Sequence, residues 1–300
     1  MKIIEFNKAN KNGPITAAIG IFDGLHKGHK KVLEELRQKG HSAVMTFYRH
    51  PRNIKTLQSL SDRLRNFRAL GINDVIVFTG SDGILGMTAS DFIKNIVVDL
   101  NIEHIVVGND FRMGRNRESD AESLKGICKK YGIGLTIVDV VYDDGKKLSS
   151  TSIRDYVEHG DVPKAISLLG HDLELHGIVV KGKGNGAKIG FRTANIKLNS
   201  SRTLPDHGIY ITRTHINGVP YPSVTFIGES PTIHKDHHYG ETPLVETYLI
   251  DFNRDIYGQK IFIELIEKIR EIKKFPNLIE LSEAITEDVK LAVKRLHSYK

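Results

Sequence analysis

The chain has 300 residues, a single cysteine and a net charge of +7, and these totals exclude several classes of protein. Its length predicts about two domains of roughly 150 residues each, and one cysteine, Cys128, excludes an internal disulfide and suits a reducing compartment. The charged first residues and the lack of an apolar run of roughly 20 residues argue against a signal peptide and a membrane helix, so we expect a cytoplasmic protein. The basic excess is mild and no Lys/Arg block contains interleaved aromatic residues, which favours polyphosphate ligands over nucleic acid.

Residues 1–160 alternate short apolar runs with amphipathic stretches, which predicts a doubly wound α/β fold with a parallel sheet. The candidate strands are Ile15–Ile19, Ser42–Thr46, Asp74–Phe78, His104–Val107 and Leu135–Val140. The candidate helices are Lys30–Lys39, Ser61–Leu70, Ala89–Asp99 and Glu122–Tyr131. Ligands bind at the carboxyl ends of the strands in such folds, so polar clusters that directly follow a strand are candidate site residues.

The first of these clusters, Gly20–His29, is a glycine-rich turn between a strand and a helix. Glycines let the backbone approach a phosphate, and the exposed N–H groups and dipole of a helix N-terminus favour an anion. His26 and His29 can face the same anion and donate hydrogen bonds to it as charge develops in a transition state. Two alternatives stay open: the imidazoles only cap or pack the turn, or they bind a metal with Asp23, although no cysteine or third histidine joins them.

Three further polar clusters follow predicted strands at Thr46–Pro51, Gly108–Arg115 and Ser149–Arg154. In the first of these, Pro51 fixes a turn, and either Phe47 or Tyr48 could border a flat ring. The third places hydroxyl groups at the start of a helix that ends near Gly160. Such hydroxyls are most often plain N-caps, but Arg154 follows one turn later and favours a bound phosphate.

The second half of the chain differs from the first in its predicted secondary structure, because it is rich in strands. Residues 161–175 are predicted to form a short helical connection. The candidate strands beyond it are His176–Val180, Gly208–His215, Tyr221–Ile227, Val245–Phe252 and Lys260–Ile269, and the last helix is Leu278–His297. The dipeptide Asn217-Gly218 is a strong hairpin signal. We therefore expect a small antiparallel β-barrel with one C-terminal helix over residues 176–300, after a first domain at 1–160.

Three motifs of the first half, Gly20–His29, Gly108–Arg112 and Ser149–Arg154, resemble in sequence and order those of the prokaryotic FAD synthetases, members of the HxGH nucleotidyltransferase superfamily. The resemblance implies transfer of AMP from ATP to FMN, giving FAD and pyrophosphate, with Mg²⁺. It implies an ATP site formed by Gly20, Phe22, Asp23, Gly24, Asn109 and Asp110. It also implies that five side chains contact the phosphates of ATP, namely those of His26, His29, Ser150, Thr151 and Arg154. The flavin would be bordered by Phe47, His50 and Pro51.

The second half is similar to the riboflavin kinases. The similar segments are Gly177–Asn195, Gly228–Thr232, Val245–Thr247, Leu249–Tyr257 and Arg270–Phe275. The resemblance implies that Thr193 and Asn195 bind Mg²⁺-ATP, with Gly182 and Gly186 in the nucleotide loop and Thr193 on the metal. Glu246 would be the general base that takes the proton of the ribityl 5′-hydroxyl.

Two positions depart from the kinase pattern: Arg192 replaces a proline, and Ala187 replaces an arginine. Proline fixes φ near about −65° and has no N–H, so Arg192 frees the backbone and adds a cation. That cation either competes with the metal beside Thr193 or points away from the site into solvent. We therefore expect an FMN adenylyltransferase whose kinase-like domain is weak or inactive.

Two other functions stay open. One is the ordinary bifunctional riboflavin kinase/FAD synthetase, and the other is a catalytically inactive regulatory protein that binds flavin or nucleotide. The expected partners are the small molecules ATP, FMN and riboflavin, without nucleic acid or membrane.

Overall fold

The structure is a computed structural model that describes residues 1–6, 14–80, 82–182, 186–198, 202–228 and 243–298. The chain divides into two compact units, Met1–Ser152 and Ile153–Lys300. Among the described residues, none of the helices has both the length and the apolar character that crossing a membrane requires.

The first unit alternates strands with helices. Its strands are β1 (Lys2–Glu5), β2 (Ile15–Ile19), β3 (Ser42–Phe47), β4 (Asp74–Phe78), β5 (Ile102–Gly108), β6 (Arg112–Met113), β7 (Ser119–Asp120), β8 (Gly134–Val138), β9 (Tyr142–Asp143) and β10 (Lys146–Lys147). Its helices are α1 (Lys27–Arg37), α2 (Leu60–Ala69), α3 (Ala89–Phe92, continued by a π-helical stretch at Ile93–Val97) and α4 (Ala121–Lys130). Helix α5 (Ser150–Glu158) begins in this unit and continues into the second. Six strands form one parallel sheet in the order β1-β4-β3-β2-β5-β8.

Helices cover both faces of this sheet, which explains why its strands are apolar on both sides. On one face Ala17 and Ile105 belong to a core that also contains residues of α3 and α4. On the other face Ala18 and Val106 pack in a core with residues of α1 and α2. The doubly wound parallel fold predicted from the sequence is confirmed.

The direction of strand progression reverses beside β2, which neighbours β3 on one side and β5 on the other. Ile19 of β2 pairs with Met45 of β3, and Ala18 pairs with Val106 of β5. The carboxyl ends of the three strands therefore lie side by side. Ligands of open α/β sheets bind in the crevice at such a reversal, so the loops after β2, β3 and β5 are placed to form a site.

The second unit contains a closed antiparallel barrel. Its elements after α5 are α6 (Val162–Leu169), β11 (Leu173–Val180), β12 (Thr193–Leu198), β13 (Gly208–Ile216), β14 (Val219–Gly228), β15 (Leu244–Leu249), β16 (Lys260–Arg270) and α7 (Leu278–Ser298). The strand order around the barrel is β11-β12-β15-β14-β13-β16. The predicted small barrel and C-terminal helix are confirmed.

Some elements differ from the sequence-based prediction. Strands β1 and β12 were not predicted; β12 follows a glycine-rich loop and was interpreted only as part of a ligand motif. The signal was present in the sequence, because apolar Ala194, Ile196 and Leu198 alternate with polar residues at the period of a strand. Helix α1 begins at Lys27 instead of Lys30, because His26 already caps it.

Five hydroxyl groups form a closed hydrogen-bonded ring, which we call the hydroxyl ring, inside the barrel. Its members, each 0% exposed, are Thr212, Ser223, Thr214, Thr247 and Thr225. In that order, and back to the start, neighbouring oxygens lie 2.7, 2.9, 3.2, 2.9 and 2.8 Å apart. A hydroxyl has one proton, so five bonds among five hydroxyls require that each donates once and accepts once. No buried hydroxyl proton of the ring is left unpaired.

Candidate functional site

The turn after β2 holds the two predicted histidines against each other. His26 is the N-cap of α1, and its Nδ1 accepts a hydrogen bond from the backbone N–H of His29 at 3.3 Å. The two rings stack, with centroids 3.7 Å apart and planes 18° apart. Glycine at position 28 leaves room for this stack, because a Cβ there would lie 3.2 Å from the His26 ring, a tight contact. The capping alternative left open by the sequence is thus part of the geometry at His26.

Burial and neighbouring charge keep His29 neutral. Burial is the main cause that lowers the pKa of His29 well below its usual range, and electrostatic interactions with His26 and Arg63 lower it further. The Nδ1 atom of His29 is buried and has no hydrogen-bond partner among the described residues. A neutral imidazole has one donor and one acceptor nitrogen, so His29 can act on a ligand by hydrogen bonding and not as a fixed cation.

The backbone of this turn is strained. Phe22 and Leu25 have φ values of 55° and 40°, in the left-handed region, and Gly24 has a φ of 78°. Left-handed conformations are uncommon for bulky residues and cluster at ligand sites. Packing holds the strain in place, since the Phe22 ring meets Phe67 edge-on at 5.9 Å and His29 at 5.3 Å.

Asp23 and Ser150 connect the turn to later parts of the chain. Asp23 is 3% exposed, and its Oδ1 accepts a hydrogen bond from the Gln58 backbone N–H at 3.1 Å. The Ser150 hydroxyl donates to the Asp23 carbonyl oxygen at 2.8 Å. This contact brings the start of α5 to the glycine-rich turn. Thr151 lies in the same first turn of α5, and Arg154 follows one turn later.

Asn109 and Asp110 follow β5 at the same edge of the sheet. The backbone N–H of Asn109 donates to the Val138 carbonyl at 2.9 Å, and the Asp110 carboxylate forms an ion pair with Lys147 Nζ at 2.7 Å. A Cβ at Gly108 would lie 3.0 Å from Asp110 Oδ1 in this arrangement. Lys147 was not singled out from the sequence; the β9–β10 hairpin brings it here, and no local motif marks it.

The predicted flavin-bordering residues lie at the end of β3. Phe47 is half-buried, and its ring centroid is 5.4 Å from that of Phe78. His50 Nδ1 accepts a hydrogen bond from the Arg52 backbone N–H at 3.1 Å, and Pro51 is exposed. Since β3 neighbours β2, this segment begins beside the glycine-rich turn.

Sequence reasoning also missed Arg63 on α2. Its side chain is 2% exposed, and its guanidinium donates hydrogen bonds to the turn after β2 and to the end of β3. The available signal was its position four residues before Phe67, on the face of the helix that should be apolar. A charge on that face indicates a paired, buried group.

In the second unit, β12 and β15 bring the predicted kinase residues together. Asn195 is the register partner of Glu246, and Thr193 is the partner of Tyr248. Directly opposite residues of an antiparallel pair have Cβ atoms about 4.5–5.5 Å apart. Thr193 and Asn195 are two residues apart on one strand, so they share a face with Glu246.

The glycines of the predicted kinase loop lie against β12. A Cβ on Gly182 would overlap the Asn195 side chain, and one on Gly186 would overlap the Phe191 carbonyl and lie 3.5 Å from Thr193 Oγ1. Residues 183–185, the Ala187 side chain and residues 229–232 of the predicted Gly228–Thr232 motif lie outside the described part.

Arg192 is exposed. Of the two placements left open by the sequence, this exposure favours the one in which the cation faces solvent. Within the described ranges, no three or more His, Cys, Asp or Glu side chains are grouped so that they could hold a metal ion.

Comparisons with known proteins match the two halves of the chain to two different protein families. Residues 8–152 match the protein-family model described as FAD synthetase, and residues 169–296 match the one described as riboflavin kinase. The bifunctional riboflavin kinase/FMN adenylyltransferase of Bacillus subtilis is 34% identical over 290 residues, covering 92% of this chain and 91% of that protein. The Escherichia coli protein of the same name is 32% identical over 284 residues, covering 90% and 89%.

The same fold is present in a crystal structure from Streptococcus pneumoniae described as a macrolide-efflux protein, with a TM-score of 0.86 and 27% identity over 97% of this chain and 99% of that one. The curated relatives match both halves at higher identity. The chain therefore belongs to the bifunctional riboflavin kinase/FMN adenylyltransferase family.

Proposed function

We propose that the chain makes FAD from riboflavin in two ATP-dependent steps. Residues 176–300 phosphorylate riboflavin to FMN, residues 1–160 transfer AMP from ATP to FMN and release pyrophosphate, and residues 161–175 connect the two domains. The observation that carries the proposal is the meeting of the Gly20–His29 turn with the start of α5, through the Ser150–Asp23 hydrogen bond, where the strand order reverses.

In the adenylyl transfer, a phosphate oxygen of FMN forms a bond to the α-phosphorus of ATP while the bond to the bridging oxygen of pyrophosphate breaks. Such transfers need positioning and charge stabilisation more than covalent help from the protein. His26 and His29 would donate hydrogen bonds to the oxygens that gain charge, and Ser150, Thr151 and Arg154 would hold the leaving pyrophosphate.

The remaining predicted residues orient the two substrates of this step. The ATP side is formed by Gly20, Phe22, Asp23, Gly24, Asn109 and Asp110. The flavin side is bordered by Phe47, His50 and Pro51. Both sets follow strands that are neighbours in the sheet, which supports a shared site.

In the kinase step, the ribityl 5′-oxygen would form a bond to the γ-phosphorus of ATP while the bond from that phosphorus to the bridging oxygen breaks and ADP leaves. Glu246 would take the proton of the 5′-hydroxyl. Asn195 lies opposite Glu246 in the strand pair, and the Thr193 hydroxyl and Asn195 amide are the oxygen donors that suit Mg²⁺, which also keeps phosphate and water ligands. The metal would neutralise charge on the transferred phosphate.

Two observations favour the ordinary bifunctional enzyme over the weak kinase expected from the sequence. The relatives that match over about nine-tenths of the chain are named for both activities. Arg192 is exposed, which supports the alternative in which its cation faces solvent and does not compete with the metal beside Thr193.

Incubation of the protein with Mg-ATP and either riboflavin or FMN, followed by chromatographic separation of the flavins, tests each step separately. We expect FMN and then FAD from riboflavin, and FAD directly from FMN. Failure to form FAD from FMN would refute the adenylyltransferase, and failure to form FMN from riboflavin would refute the kinase. A protein that binds both flavins but converts neither would be the regulatory protein left open by the sequence.

A further inference from the structure

Arg63 is a buried cation whose paired N–H groups all donate to the edge of the sheet that holds the candidate site. It is 2% exposed, and burial of an arginine is costly unless its donors are paired. Its Nε is buried without a partner among the described residues, so its hydrogen bonds come from Nη1 and Nη2. Nη1 donates to the Ile21 carbonyl at 2.8 Å and to Thr46 Oγ1 at 2.7 Å, and Nη2 donates to the Phe47 carbonyl at 2.9 Å.

These acceptors come from two different segments. Ile21 lies in the turn after β2, whereas Thr46 and Phe47 end β3. The Thr46 hydroxyl also donates to the Ile21 carbonyl at 3.2 Å. One guanidinium therefore joins the ends of the neighbouring strands β2 and β3, just beyond their last backbone hydrogen bond.

The ladder itself does not reach this far. The last backbone hydrogen bond between the two segments runs from Gly20 N–H to the Met45 carbonyl at 3.0 Å. Beyond it, Arg63 replaces ladder bonds with a planar fork of donors. A lysine has a single ammonium group on a flexible stem and lacks this fixed fork.

We infer that Arg63 is a positioning residue of the adenylyltransferase site, which holds the ATP-side turn Gly20–Gly24 at a fixed distance and angle from the flavin-side segment Phe47–Pro51. The inference rests on the proposed function of the first unit. In the proposed function the two substrates are bordered by different segments, so the separation of their reacting phosphates depends on how these segments are joined. A displacement of about 1 Å between reacting groups can cost about 10²-fold in rate.

The charge of Arg63 acts on the same site. Burial lowers the pKa of Arg63 to about 10, and the carboxylates of Asp23 and Asp62 partly offset that effect. Arg63 in turn helps to lower the pKa of His29. The residue that joins the two segments thus also helps to keep this imidazole neutral.

The test compares Arg63→Met and Arg63→Lys with Arg68→Met, an arginine that is exposed on the same helix. Values of kcat and KM for FMN and ATP are measured in the full chain, well below the Tm of each variant, together with riboflavin phosphorylation by the same preparations. For Arg63→Met we expect FAD formation with kcat lowered about 10- to 100-fold and KM for both substrates raised. Arg63→Lys should recover part of this loss, and Arg68→Met should match the wild type.

Riboflavin phosphorylation should be unchanged in all three variants, because its predicted residues lie in the second unit. A purely structural role would lower the Tm of Arg63→Met without changing kcat or KM at low temperature, and that result would overturn the inference. If Arg63→Met does not fold, an Arg63→Lys variant with wild-type kcat and KM would overturn it as well. A wild-type protein that makes no FAD would refute the proposed function itself.

Discussion

The hydroxyl ring inside the barrel predicts that two equally conservative double substitutions differ in cost. Thr225→Val/Thr247→Val removes two neighbours in the ring, and Thr212→Val/Thr247→Val removes two hydroxyls that are not neighbours. Because each hydroxyl makes two of the five hydrogen bonds, the first variant loses three bonds and the second loses four.

The magnitude follows from what each variant leaves buried. The neighbouring pair leaves the chain Thr212–Ser223–Thr214, with two bonds and one unpaired hydroxyl proton. The separated pair leaves one bond between Ser223 and Thr214. The Thr225 hydroxyl then has no partner in the ring. Each bond contributes about 0.5–1.5 kcal/mol net, and an unsatisfied buried group costs about 1–3 kcal/mol. The separated pair loses one more bond and leaves one more buried hydroxyl proton unpaired, so it should be less stable by about 1–3 kcal/mol.

Hydrogen exchange of β13 and β14 peptides under increasing denaturant measures the free energy of opening of the barrel, independently of the first unit. Both variants have the same composition change, so each is the control for the other. Equal opening free energies, or a larger loss for the neighbouring pair, would refute the closed ring. Substituting all five members with apolar residues of similar shape should cost less per site than either double variant, because no buried donor then remains unpaired.

Three further predictions concern the two sites. His29→Ala should lower kcat for FAD formation from FMN by about 10²- to 10³-fold while riboflavin phosphorylation stays unchanged; steady-state assays of both activities check this, and unchanged FAD formation would contradict it. Glu246→Gln should lower riboflavin phosphorylation by about 10²- to 10⁴-fold and spare FAD formation from FMN, whereas an equal loss of both activities would contradict a role in the kinase step alone. The lowered pKa of His29 means that the unfolded chain binds more protons than the folded one below its unfolded pKa of about 6.5, so the free energy of unfolding should fall as pH drops through that value. Denaturant unfolding at pH 7 and pH 5 should show a smaller fall for His29→Gln than for the wild type, and the same fall in both would contradict the buried neutral imidazole.

Local pattern was enough to predict much of the first unit. Ile15–Ile19 and Asp74–Phe78 are strands with the predicted bounds, because continuous apolar runs bounded by polar residues are signals carried by neighbouring residues. The Gly20–His29 turn could be located for the same reason. Its glycines and histidines lie within ten consecutive residues, and the helix that follows the turn is amphipathic.

The sequence by itself determined most of the long strands and helices, which fold class they build, and where the ligand motifs lie. Only the tertiary structure decided which distant residues meet. Ser150 reaches Asp23 across 127 residues, and Arg63 reaches Ile21 across 42. The pairing of Asn195 with Glu246 depends on the strand order of the barrel. Hydrophobic periodicity encodes which face of an element is buried, but hydrogen bonds between remote residues depend on register and strand order, which many sequences with the same pattern do not share.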